Sequence, residues 1–110
     1  MPRKLYLVFS RPPEHISEEE YLRWYEQHAR ENIESPGFVS TQRFSISPSR
    51  GHARPLTHLA LYEYEGDSAD WREDLEGRIH RGEIVLPEWF DEITFESWDC
   101  EALTDRIEPA

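Results

Sequence analysis

Residues 17–38, SEEEYLRWYEQHARENIESPGF, carry a helical rhythm that breaks into a strand. Set at 100° per residue, Tyr21, Leu22, Trp24, Tyr25, Ala29 and Ile33 fall on one side, and Arg23, Glu26, Gln27 and Arg30 on the other. The start signals are strong. Ser17 and Glu20 are spaced as a capping box, Ile16 and Tyr21 as a hydrophobic staple, and three glutamates occupy the positive end of the helix dipole. Pro36-Gly37 ends the pattern. A second, thinner stripe of Trp71, Leu75 and Ile79 predicts a helix capped by Asp67 and running to about Arg81, with Gly82 just past its end.

Four other segments alternate or are short and apolar. Residues 4–10 (KLYLVFS) predict a strand ended by Arg11-Pro12-Pro13. Residues 38–47 (FVSTQRFSIS) predict a second, with Phe38, Phe44 and Ile46 in one phase. Residues 58–65 (HLALYEYE) and 93–100 (ITFESWDC) predict a third and a fourth. The Pro-, Gly- and Ser-rich residues 48–57 join the second and third strands as a hairpin loop, and Pro87 makes 84–91 a broken turn. The order β-α-β-β-α-β predicts a ferredoxin-like α+β fold, an antiparallel four-stranded sheet with two helices on one face. One domain spans residues 1–110, with 101–110 as a tail. The first and third strands are apolar in both alternation phases, while two helices cover one face only. The uncovered face calls for a partner, and a homodimer packing sheet on sheet is the simplest supply.

Composition narrows the function. Four Trp, five Tyr and five Phe in 110 residues are enough to line a core, a pocket or an interface. A net charge of −11 argues against nucleic acid and anionic membranes as partners. Residues 5–9 are too short an apolar run for a signal-peptide core, and nothing approaches the roughly 20 apolar residues of a membrane span. With Cys100 as the one cysteine, a soluble, cytoplasmic protein is the expectation. The charge is uneven. Between Glu34 and Glu63 there is no carboxylate, but Arg43, Arg50 and Arg54 lie there with His52 and His58. Such a stretch either reflects burial or tolerates an anionic small molecule.

The candidate chemistry centres on His28, which falls on the apolar arc one turn from Trp24 and Tyr25. There it is either a general acid or base titrating near neutrality or a hydrogen-bonded core histidine. His58 opens the third strand in phase with Ala60, Tyr62 and Tyr64, as a pocket wall or a solvated strand end. His52 between two arginines reads as solvated, as do His15 and His80. Arg43 is out of phase with Phe44 and Ile46, facing the pocket or the dimer interface. Tyr6, Trp24, Tyr25, Tyr62, Trp71 and Trp89 are packing residues or, given a cavity, aromatic walls for an apolar ligand with a few polar handles. No H-x-x-x-H or H-x-H pair marks a metal, no G-x-S-x-G or glycine-rich loop marks a nucleophile or nucleotide, and Cys100 lacks a neighbouring cation. No cofactor is expected.

Trp24-Tyr25-x-x-His28, followed by Pro36-Gly37-Phe38 and by LEGRIHRGEIVLP at residues 75–87, resembles the dimeric α/β-barrel superfamily and within it the EthD-like branch. The resemblance implies a homodimer with a ligand pocket in each subunit, between sheet and helices, and a histidine turned into it from this helical position. The superfamily includes cofactor-free monooxygenases, isomerases, aromatic cyclases and haem enzymes. The expectation is therefore a cofactor-independent enzyme acting on an aromatic or polyketide-like carbonyl compound by isomerisation, cyclisation, elimination or oxygenation. His28 would move a proton α to the carbonyl, and Tyr6 or Tyr62 would hold the enol oxygen. Arg43 or His58 would meet an acidic group on the ligand. The alternatives are a non-catalytic module for a hydrophobic ligand or protein partner, and a haem enzyme with His28 or His58 as axial ligand.

Overall fold

The computed structural model describes residues 4–51 and 55–110; His52 and Arg54 of the acid-free stretch lie outside them. The elements follow the expected order: β1 (Lys4–Arg11), α1 (Glu18–Asn32), β2 (Phe38–Ser45), β3 (His58–Tyr64), α2 (Ser68–His80) and β4 (Thr94–Glu101). A short 3-10 turn, Phe90–Glu92, leads into β4. The strands form one antiparallel sheet in the order β2-β3-β1-β4.

Register decides which side chains meet the helices. Tyr6 stands opposite Tyr62 and Asp99, Val8 opposite Ala60 and Ser97, and Ser10 opposite His58 and Phe95. Directly opposed residues share a face, so all of these point the same way, together with Thr41 and Arg43 of β2. Both helices lie on this face. α1 buries Tyr21, Tyr25, Ala29 and Asn32 against it, and α2 lays Trp71 against Tyr6 and Phe38 at ring separations of 4.8 and 4.9 Å. The core is the layer between them, built on Val8, Ala60, Tyr62, Tyr21 and Tyr25.

The helix ends obey their sequence signals. Ser17 Oγ accepts the Glu20 N–H at 3.1 Å, and Asp67 Oδ1 accepts the Ala69 N–H at 2.9 Å. At the end of α2 the Gly82 N–H donates to Ile79 O at 3.0 Å and the Glu83 N–H to Arg78 O at 2.9 Å, with Gly82 at φ +77°. That pair of bonds is a Schellman motif, which needs a residue at ease with positive φ. α1 ends at Asn32, before the proline, and Pro36-Gly37 serves as the connection into β2. Gly37 is required there on two counts. Its φ is +102°, and a Cβ would stand 2.8 Å from Glu65 O, against which the loop is drawn by a Glu65 N–H bond to Gly37 O.

One expectation about β2 fails. Phe38 and Phe44 do not share a face, because the pairing shifts register between Phe38 and Ser40. The extra residue of a bulge reverses the alternation phase. Phe38 therefore pairs with Tyr64 on the helix side, and Phe44 with Leu59 on the other. That other face holds Leu5, Leu7, Phe9, Leu59 and Leu61 in adjacent register, with Phe44 and Trp98 39% and 54% exposed. Neither helix reaches it. The two-faced apolar pattern of β1 and β3 thus survives folding as a broad apolar surface.

Candidate functional site

A cavity of about 360 Å³ lies between the helix side of the sheet and the two helices. The sheet contributes Tyr6, Val8 and Tyr62, and α1 contributes Tyr25, His28 and Asn32. The apolar stripe of α2 (Trp71, Leu75, Ile79) forms the facing wall with Arg72 and Glu76, and Phe90, Phe95 and Ser97 complete the lining. The surface is mostly aromatic with a few polar groups, the usual make-up of a small-molecule site.

His28 is in this wall. Its ring stacks on Trp24 at 4.8 Å with 16° between planes and meets Tyr25 edge-on at 5.8 Å. Neither ring nitrogen has a hydrogen-bond partner among the described residues, so it is not a core histidine tied to a carbonyl. Burial alone pushes its pKa from 6.5 down to about 4. The pKa lies below the neutral range that the sequence suggested: at pH 7 the imidazole is neutral, with a lone pair available.

Tyr62 is 1% exposed, and its Oη accepts a hydrogen bond from Asn32 Nδ2 at 3.1 Å. Burial drives its pKa up to about 12, against the stabilising hydrogen bonds of Asn32 and then Tyr25. Burial also raises Tyr25 well above the usual phenol range. Both hydroxyls are protonated at neutral pH and can serve as donors. Tyr6 leans on Tyr62 and Trp71, and the Arg72 guanidinium lies over Tyr6 and Trp71 at 4.9 and 4.5 Å while Nη2 bonds Asp99 at 2.8 and 3.0 Å.

Three candidate residues land elsewhere. Trp24 backs His28 and packs on Trp89 at 5.0 Å without lining the cavity. Arg43 covers the Tyr25 ring at 4.3 Å and donates to Leu22 O at 3.3 Å, in a groove between α1 and β2. Facing the helix layer on an edge strand, it is separated from the cavity by the ring it covers. His58 is buried, not solvated. Its Nε2 meets Glu18 Oε1 at 2.8 Å and its Nδ1 meets Thr57 Oγ1 at 2.7 Å, in a depression that also contains Arg11. With both nitrogens engaged, it has none left for a haem iron or for a ligand in the cavity.

The cavity also contains residues that the sequence did not single out: Asn32, Arg72, Glu76, Phe90 and Phe95. Asn32 had a signal, since Tyr21, Tyr25, His28 and Asn32 recur at helical spacing. Arg72 had none among the mixed charges of its helix. Among the described residues, no group of three or more His, Cys, Asp or Glu could hold a metal ion, and no helix is long and apolar enough to cross a membrane.

No family model and no curated protein matches the sequence. Solved structures do match in shape. A dimeric ferredoxin-like protein from an uncultured marine organism superposes with a TM-score of 0.66 at 12% identity, over 96% of this chain and all of that one. The hydroxynitrile lyase of Passiflora edulis gives 0.66 at 12% identity, over 97% of each chain. A candidate monooxygenase from Shewanella loihica PV-4 gives 0.56 at 18% identity, over 96% of this chain and 99% of that one. At these identities the likeness establishes the ferredoxin-like fold.

Proposed function

We propose that this chain is a small, cofactor-independent enzyme of the EthD-like kind that moves a proton α to the carbonyl of an aromatic or polyketide-like compound. The observation that carries the reading is the placing of an unpaired, neutral His28 and the protonated Tyr62 hydroxyl on the wall of one aromatic cavity. The imidazole takes the α-proton, the carbonyl oxygen becomes an enolate accepting a hydrogen bond from Tyr62, and return of the proton to another position completes an isomerisation. A conjugate acid near 4 makes a weak base. The same burial strengthens the attraction between an imidazolium and an enolate formed beside it, so basicity recovers as the reaction proceeds. That a lyase and a candidate monooxygenase share the fold supports an enzyme, without choosing the reaction.

The reading includes a homodimer formed through the helix-free sheet face. A cytoplasmic setting is supported by the free thiol of Cys100. One observation favours a second reading, a ligand-binding module without catalysis: among the described residues no carboxylate or carbonyl orients the His28 ring, as one does for many catalytic bases. Proton exchange separates the two. In deuterium oxide, the protein should speed deuterium uptake at the α-carbon of an aryl ketone, and His28→Ala should abolish the gain while the fold persists. Ketone binding with no added exchange would favour the binding module and end the catalytic reading.

A further inference from the structure

The cavity's most constrained polar group is the Tyr62 hydroxyl. A phenol oxygen has one proton to give and two lone pairs to receive with. The Asn32 amide nitrogen, a donor only, occupies one lone pair at 3.1 Å, and the two residues are 8% and 1% exposed. Tyr25 is the only other hydroxyl engaged with Tyr62 among the described residues. Whichever way the two phenols share a hydrogen bond, one phenolic proton of the pair has no acceptor among the described residues. Both rings line the cavity.

Asn32 is held firmly enough to impose this. As the last residue of α1, it accepts at its main-chain oxygen from the Ser35 N–H at 3.2 Å and from Arg78 Nη2 at 3.4 Å. Arg78 also binds Ser35 Oγ and Asp74, and Ser35 Oγ donates to Asp74 at 2.7 Å. This largely buried cluster ties the end of α1 to α2. As placed, the amide donates one N–H to Tyr62, and its carbonyl oxygen, Asn32 Oδ1, has no partner among the described residues.

We infer that Asn32 is a positioning residue which, by donating to Tyr62, turns a phenolic proton of the Tyr25–Tyr62 pair towards the cavity, so that the site selects ligands binding through an oxyanion, such as phenols and enolisable aryl ketones. The inference rests on the functional reading above for the site, but not for catalysis. It also explains how a chain of net charge −11 can take a phenolate or enolate oxygen: a fixed neutral donor meets it.

4-Nitrophenol tests it directly, because its absorption reports ionisation. Bound to the wild-type protein, it should stay ionised to a pH at least as low as the free dye does. Asn32→Asp puts an acceptor where the donor was and draws the Tyr62 proton away. Tyr62→Phe removes that proton and keeps the ring. Each variant should raise the bound dye's midpoint by about one unit, a tenfold loss of preference for the anion, with far-ultraviolet dichroism unchanged. Should Asn32→Asp fail to fold, Tyr62→Phe carries the same test. A wild-type protein that binds the dye only in its neutral form, variants that titrate like wild type, or no binding at millimolar dye would each overturn the inference. Because no carbon–hydrogen bond is broken, an ionised dye with no ketone exchange would end the catalytic reading alone.

Discussion

His58 Nε2 lies 2.8 Å from Glu18 Oε1, joining the first residue of β3 to the first residue of α1. A carboxylate only accepts, so Nε2 carries a ring proton, and Nδ1 pairs with the Thr57 hydroxyl at 2.7 Å. The imidazole side chain is 6% exposed and the carboxylate 62%. Beside it the Tyr21 hydroxyl donates to Ser10 Oγ at 2.6 Å. Together these bonds fix the start of α1 on the sheet at the end away from His28. They are architecture, and they absorb the second histidine that the sequence offered for chemistry.

His58→Ala should therefore cost stability and leave the cavity alone. Orphaning the Thr57 hydroxyl and opening space beneath Tyr21 predicts a loss of about 1–3 kcal/mol in urea unfolding. Nitrophenol binding in the folded variant should be unchanged. A tenfold weaker complex at full stability would place His58 in the ligand site after all.

His28 makes stability depend on pH. Its folded pKa of about 4 lies below the ordinary 6.5, so between those values the unfolded chain binds the proton more readily. Stability is fully present above about 6.5 and is lost as pH falls towards 4, by up to about 1.4 kcal/mol per unit. Urea midpoints measured from pH 7 to pH 4.5 should fall more steeply for wild type than for His28→Gln. Parallel curves would mean that the ring is less buried than its stacking on Trp24 implies.

The helix-free sheet face predicts a dimer. Leu7, Leu61 and Trp98 stand in adjacent register at its centre, with Trp98 54% exposed. Light scattering at micromolar concentration should give twice the chain mass of 13.1 kDa. Leu61→Asp should shift it towards monomer, since a carboxylate cannot be buried between two apolar faces without a partner. A wild-type monomer would leave this apolar surface to a different protein.

The fold was legible because its signals are local. Caps at Ser17 and Asp67, the stop at Gly82 and the alternation of β1 and β3 each act within a few residues. The bulge near Val39 was not, because one extra residue leaves no mark in composition yet reverses every side chain before it. The site was half legible. His28, Tyr6, Tyr25 and Tyr62 follow from helix and strand phase, but depth behind a face does not: Trp24 shares the arc of His28 yet backs it without lining the cavity. Choosing between arginines required the tertiary structure, since both Arg43 and Arg72 can cover an aromatic ring.

That choice yields the last prediction. Arg43 covers Tyr25 from the groove side and bonds Leu22 O, whereas Arg72 lines the cavity, its guanidinium over Tyr6 and Trp71, with Nη2 bonded to Asp99. A carboxylate on a cavity ligand would meet Arg72, where a planar guanidinium can engage two oxygens. Arg72→Gln should weaken an aryl carboxylate by about tenfold, or 1.4 kcal/mol, and barely affect its neutral amide. Arg43→Gln should affect both ligands equally or neither, because its contribution is to packing. Calorimetric titration of the two variants with acid and amide gives four affinities. Selective loss of the acid in Arg43→Gln would restore the acid-free stretch as the anion site and overturn the assignment to Arg72.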